Sequence, residues 1–385
     1  MKGGDFIIEN ATLVTPTGVL KGASIKVEDG IISKIREGGI ISKTKRINAH
    51  ERFLLPGFID LHSDAIEKEI EPRPNSLLPV NIAIFELDKK LAACGVTTIF
   101  HAISFAEGEI GVRCNKRASE IIKEVNRLKN RLNVKTMVHA RFEITNEGAI
   151  QHLESLINNG DINLLSFMDH TPGQGQFKEI ASFKHYFGNV YKKSNEELEN
   201  IINRKISMNE SLKAYYVNYI MSLCKLMNIP MASHDDDSEE RILWLKEKEI
   251  KISEFPVNME AAGAAKRSGI YVCLGAPNVL RGNSQTKNLS ARNAISSGYG
   301  DILCSDYSPM TLVHALFTLA RLDVLQLYEA VNMVSLNPAK AVDISGHTGS
   351  IEEGKEADLI MVDITDEIPR VVRTFVAGKE VFSTC

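Results

Sequence analysis

From Pro56 to Asp306, short apolar runs alternate with longer amphipathic ones. No other feature limits the fold as much, because strand, helix and strand in repetition build βα units around a parallel sheet. Strands are predicted at Gly57–His62, Thr97–Ile103, Lys135–Glu143, Asn163–Met168, Pro230–Ser233, Lys251–Phe255, Tyr271–Gly275 and Asp301–Ser305. Helical runs such as Lys116–Asn130 and Glu260–Ser268 lie between them. Eight such units close most naturally as a (β/α)8 TIM barrel. An open doubly wound sheet is the alternative.

The chain ends lack that alternation. Residues 1–55 and 346–385 hold strand-like pieces separated by turn residues, for example Glu28-Asp29-Gly30 and Gly378-Lys379. We read them as two parts of one small β-sandwich domain, with a barrel of residues 56–345 inserted between them. The interval from about 171 to 229 is too long for a plain βα connection. It is expected to form an insertion at the barrel mouth, as a lid or binding loop.

Composition narrows the function classes. A net charge of −4 supplies no basic field for nucleic acid or an anionic membrane. No run is long and apolar enough to span a bilayer. The six cysteines are scattered, as reduced thiols are. Asp5 and Glu9 stand where a leader would be apolar, so no signal peptide and a cytoplasmic location are expected. A homo-oligomer, a dimer, is expected.

The working residues of a barrel sit at the C-terminal ends of its strands. The first predicted strand ends in His62 and Asp64, two positions apart and so on one face. One imidazole and one carboxylate converging this way suit a divalent metal. The other strand ends offer Glu143, Asp169 with His170, His234, and Asp306. The candidate metal ligands are therefore His62, Asp64, Glu143, His170, His234 and Asp306, for one or two ions of zinc, with iron or manganese as alternatives. His139, Arg141 and Glu143 share one strand face. The plainer readings are a core role for His101 and His139, and a helix cap for Asp306. Asp235, Asp236 and Asp237 read as carboxylates at a helix N-terminus, one of them free to support a metal ligand.

Two stretches resemble the amidohydrolase superfamily: Leu55-Pro56-Gly57-Phe58-Ile59-Asp60-Leu61-His62 and Gly349-Ser350-Ile351-Glu352-Glu353-Gly354-Lys355-Glu356-Ala357-Asp358-Leu359. Asp306 stands where that superfamily places its catalytic aspartate. The usual His-x-His of the first strand is here His62-Ser63-Asp64. That departure, with Pro72-Arg73-Pro74, Ser166 to Gln174, Ala232 to Asp236, Glu254-Phe255-Pro256, Gly275 to Gly282 and Ser305 to Pro309, resembles a narrower family. It is that of the diphosphatases acting on α-D-ribose 1-methylphosphonate 5-triphosphate in the carbon–phosphorus lyase pathway. The resemblance implies metal-dependent hydrolysis of a small phosphorylated ribose phosphonate to the 5-phosphate and pyrophosphate. Asp306 would be the catalytic base, and Arg73, Arg281 and Gln174 would bind substrate, with Arg141 and Lys355 as weaker candidates. The competing readings are an amidohydrolase acting on a C–N bond, such as a cyclic amidase or deacetylase, and a non-catalytic barrel relative.

Overall fold

The computed structural model describes residues 3–384 apart from 75, 108–110, 172–183, 185–193 and 285–287. The chain starts in a sheet. There β1 (Phe6–Thr15) pairs antiparallel with β2 (Gly18–Glu28), and β2 with β3 (Ile31–Glu37). Both β4 (Lys45–Asn48) and β5 (Phe53–Pro56) run parallel to β1. Eight parallel strands follow: β6 (Phe58–Ser63), β7 (Val96–Phe105), β8 (Lys135–Glu143), β9 (Leu164–Met168), β10 (Met231–His234), β11 (Ile252–Glu254), β12 (Tyr271–Gly275) and β13 (Ile302–Cys304). Each pairs with the next in sequence order, with helices between them. Predicted and observed strand ends differ by no more than two residues, the usual fraying of such boundaries.

The barrel is nearly closed, and its seam lies between β6 and β13. Buried backbone groups there need partners. The Ile59 and Leu303 N–H groups donate to the carbonyls of Val334 and Met333, both at 2.8 Å. Higher up, a parallel bridge joins Ser63 to Asp306. Side chains fill the interior: Ile59, Leu61, Phe100, Leu164, Ile252 and Ile302 form one buried cluster. All ten residues of β7 are buried, as a strand covered on both faces requires. Its outer side chains Ile99 and Ile103 share a core with Ile121, Ile122 and Val125 of the helix Asn115–Leu128.

The last three strands, β14 (Leu359–Thr365), β15 (Ile368–Val376) and β16 (Lys379–Ser383), return to the first sheet, where β14 pairs antiparallel with β5. One residue, Gly57, joins that sheet to the barrel. Its N–H donates to Asp358 at 2.8 Å, and a Cβ there would lie 2.3 Å from the Thr97 side chain. Only glycine permits so close an approach. Between β9 and β10 the described part of the long excursion holds two helices, Asn195–Ser207 and Glu210–Leu226. Asn209 caps the second by accepting from the Ser211 and Leu212 N–H groups. Among the described residues no helix is long and apolar enough to cross a membrane.

Candidate metal centre

The C-terminal strand ends gather imidazoles and carboxylates at the mouth. His62 is buried, with Nδ1 3.0 Å from Glu254 Oε1 at the end of β11. A carboxylate only accepts, so His62 donates from Nδ1 and keeps a lone pair on Nε2. His139 donates from Nδ1 to the Leu61 carbonyl at 3.0 Å, which likewise leaves Nε2 bare. That Nε2 lies 3.9 Å from Glu254 Oε2, and neither atom has a hydrogen-bond partner. His170 repeats the pattern: Nδ1 is 3.0 Å from Glu143 Oε2, and Nε2 is 3.5 Å from Asp235 Oδ2. His234 Nδ1 lies 3.1 Å from the same Asp235 oxygen, without hydrogen-bond geometry. Phe255 stands edge-on to the rings of His62 and His234, with centroids 5.0 and 5.2 Å away, and forms an apolar wall.

These atoms fit a divalent cation. A lone pair facing an unpaired carboxylate oxygen repels it unless a positive charge lies between them. Each buried polar atom left unpaired also costs about 1–3 kcal/mol. Two ligands bonded to one ion at about 2.1 Å lie roughly 3–3.5 Å apart, the spacing of Asp235 Oδ2 from His170 and His234, while His139 and Glu254 stand slightly wider. His62, His234 and Glu254 place ligand atoms within 4.8 Å of one another, and so do His170, His234 and Asp235. A carboxylate behind the far nitrogen of an imidazole fixes the tautomer that a metal requires. Burial, reinforced by the Arg141 charge, holds the His62 imidazole well below its ordinary pKa, so it is neutral as a ligand must be.

The carboxylates fall into two electrostatic classes. Burial pushes Glu143 up, but Lys205, whose Nζ is 3.2 Å from Glu143 Oε1, together with His170 and Thr145, pulls it below the usual carboxylate range. Burial likewise opposes His234 and His170 at Asp235, and the histidines prevail. At the seam the sign reverses. Burial and then Glu67 raise Asp64 to about 6, while burial and then Asp64 raise Asp306 to about 7. Arg113 restrains Asp64 from 3.3 Å while gripping Glu67 through Nε and Nη2.

The backbone is shaped for this mouth. Asp235, Phe255 and Asp306 follow β10, β11 and β13 with φ of 58°, 52° and 58°. Their N–H groups still extend the ladder, to Glu254, Cys273 and His62 respectively, at 2.9–3.0 Å. The chain then turns through the left-handed region, which is unfavourable for residues with a Cβ and is concentrated at functional sites.

Four of the expected ligands, His62, Glu143, His170 and His234, thus share the centre, while Asp64 and Asp306 form a neighbouring pair at the seam. Arg281 is exposed, bonds the Tyr307 hydroxyl, and acts electrostatically on Asp306. Arg73 is exposed, and its side chain pairs with none of the described residues. Lys355 bonds Ser350 and Glu352, away from the mouth. Gln174 lies outside the described residues. Asp235 is one of the three carboxylates expected to support a metal ligand, whereas the sequence marks neither Glu254, next to last in the predicted strand Lys251–Phe255, nor Lys205.

Comparison with known proteins bears on this centre. The model of the amidohydrolase family matches residues 193–381. The chain is 30% identical to the alpha-D-ribose 1-methylphosphonate 5-triphosphate diphosphatase of Escherichia coli (strain K12), over 98% of this chain and 100% of that one. It is 24% identical to the imidazolonepropionase of Picrophilus torridus, over 90% of this chain and 87% of that one. Among solved structures, N-acetylglucosamine-6-phosphate deacetylase from Pasteurella multocida superposes with a TM-score of 0.66 at 15% identity, covering 98% of this chain and 100% of that one.

Proposed function

The chain belongs to the amidohydrolase family, and on that premise we propose that this hydrolase cleaves a ribose 1-phosphonate 5-triphosphate to the 5-phosphate and pyrophosphate. The observation that carries the reading is the likeness to the Escherichia coli diphosphatase, which covers 98% of this chain and all of that one. The mouth supports it with carboxylate-backed imidazoles and, at the seam, the paired carboxylates Asp64 and Asp306.

His62, Asp64, Glu143, His170, His234 and Asp306 would hold the metal, with Asp235 and Glu254 beside them. A divalent ion there acidifies water and polarises a phosphoryl oxygen. The chain's own residues do the rest. Glu254 fixes His62, and Glu143 fixes His170. Phe255 keeps bulk water from the His62 and His234 rings. Water adds to phosphorus, the P–O bond to pyrophosphate breaks, and the water's proton passes to a carboxylate oxygen of Asp306. A carboxylate on the metal is a weak base at rest, but water on the same ion is itself acidified, which narrows the mismatch between donor and acceptor. Arg281, the last residue of the short helix Ala276–Arg281 after β12, would offer a planar fork to a phosphate, and Arg73 and Gln174 would complete the substrate contacts.

The test is a ³¹P NMR assay of metal-loaded protein with ribose 1-methylphosphonate 5-triphosphate. Pyrophosphate should appear together with the 5-phosphate. Asp306→Asn should retain metal and lose about two to four orders of magnitude in turnover, the scale of general acid–base catalysis. The second reading, a C–N hydrolase, draws on the likeness to imidazolonepropionase. Ring opening of a cyclic amide with no pyrophosphate released from the triphosphate would favour it.

A further inference from the structure

Arg141 projects from β8 between His139 and Glu143 and is only 5% exposed. Its partners set it apart from the other cations at the mouth. Lys205 has Glu143, and Arg113 has Glu67 and Asp64. Arg141 has no carboxylate oxygen within 4.0 Å among the described residues. It donates one bond from Nη2, to His234 Nε2 at 3.0 Å, and its buried Nε–H has no partner. A buried guanidinium is strongly disfavoured unless an anion neutralises it. Here one imidazole nitrogen takes a single donor of a group built to offer two in parallel.

The charge also lies where an anion would have to sit. It acts on His62 and His139 on one side and on Asp64 and Asp306 at the seam. Those seam carboxylates repel a phosphoryl group, and Arg141 is the buried charge that offsets them from the barrel wall. We propose that Arg141 is a substrate-binding residue that grips two non-bridging oxygens of a phosphoryl group from inside the barrel. The identity of the anion rests on the diphosphatase reading, whereas the presence of an anion contact does not.

The test is calorimetric titration of the metal-loaded full chain with inorganic pyrophosphate, with metal content measured on the same samples. Wild type should bind it. Arg141→Met should bind it about 10- to 100-fold more weakly at unchanged metal content, the scale of a lost charge-assisted bidentate contact. Arg141→Lys should fall between the two, because it keeps the charge and loses the fork. Absence of binding to wild type, or unchanged affinity in Arg141→Met, overturns the assignment. Should Arg141→Met fail to fold or to load metal, Arg141→Lys decides alone: severalfold weaker binding at full metal content upholds the assignment, and unchanged affinity overturns it. If pyrophosphate binds through Arg141 yet none is released from the ribose triphosphate, the anion contact stands and the diphosphatase reading falls.

Discussion

The backbone N–H of Asp306 donates to the carbonyl of His62 at 3.0 Å. The Asp64 N–H answers it at 2.8 Å, on the Asp306 carbonyl. The first and last strands of the barrel are therefore joined at the residues that carry the candidate chemistry. Closing the fold and setting the distance between Asp64 and Asp306 are one event. The arrangement has a cost, since Asp306 holds φ at 58° and buries a carboxylate beside another.

Asp306→Gly should reveal that cost. Glycine keeps the N–H and the carbonyl that close the seam, relaxes the left-handed residue by about 1 kcal/mol, and removes a buried carboxylate. With both proteins metal-free, the variant should melt no lower than wild type, and it should lose hydrolysis when metal is supplied, as expected where function is held at the expense of stability. A fall of more than about 2 °C in a thermal scan, roughly 1.5 kcal/mol for a chain of this size, would show that the side chain itself braces the seam.

Part of this site was legible from short-range pattern. His62 and Asp64 end an apolar strand two positions apart, and β8 places His139, Arg141 and Glu143 on its interior face by period two. All but Asp64 are buried. The remainder depends on closure. Glu254 sits in a three-residue strand, and its partner His62 is 192 positions away. Asp235 reads as a helix N-terminus, but the helix begins only at Glu239 under a Ser238 cap, so Asp235 is left to turn inward. Lys205 lies in a polar helical stretch where a lysine normally faces solvent. Packing across the mouth buries it, and no local periodicity records that.

His234 should be the residue whose loss most depletes the metal, because its nitrogens belong to both groups of converging ligand atoms. His234→Ala should purify with little metal. Glu254→Gln still offers an oxygen to His62 Nδ1–H, so it should keep the ring oriented and weaken metal binding by about 10- to 100-fold. Elemental analysis and competition with a chromogenic chelator measure both. Full occupancy in His234→Ala would remove it from the ligand set.

His101 should make the fold sensitive to acid. Burial lowers its pKa to about 4 from an ordinary 6.5, and Nδ1 is buried without a partner. Between those values the unfolded chain binds a proton that the native chain refuses. Stability is therefore intact above the ordinary value and falls as pH drops toward the native one. From about pH 7.5 to about pH 5 this group alone removes roughly 2 kcal/mol. His101→Leu cannot titrate, so its urea midpoint should fall less across that range. Parallel declines for the two proteins would assign the acid lability to other groups.

Lys205 and Glu143 should prove to be energetically coupled. Both are almost fully buried, 3.2 Å apart, and one comes from the excursion while the other comes from the barrel wall. Removing one member of such a pair strands the other charge, a loss of about 3 kcal/mol or more. Lys205→Met should therefore lower the unfolding free energy by that amount and loosen the excursion from the mouth. Glu143→Gln should do comparable harm by removing the buried carboxylate that faces the ammonium. With both changes in one chain no charge is stranded, so the double variant should lose clearly less than the sum of the two. Urea unfolding of the four proteins gives the interaction energy directly. Simple additivity would mean that the helix Asn195–Ser207 is held over the mouth by its apolar contacts alone, with Lys205 contributing only its charge to the field around Glu143.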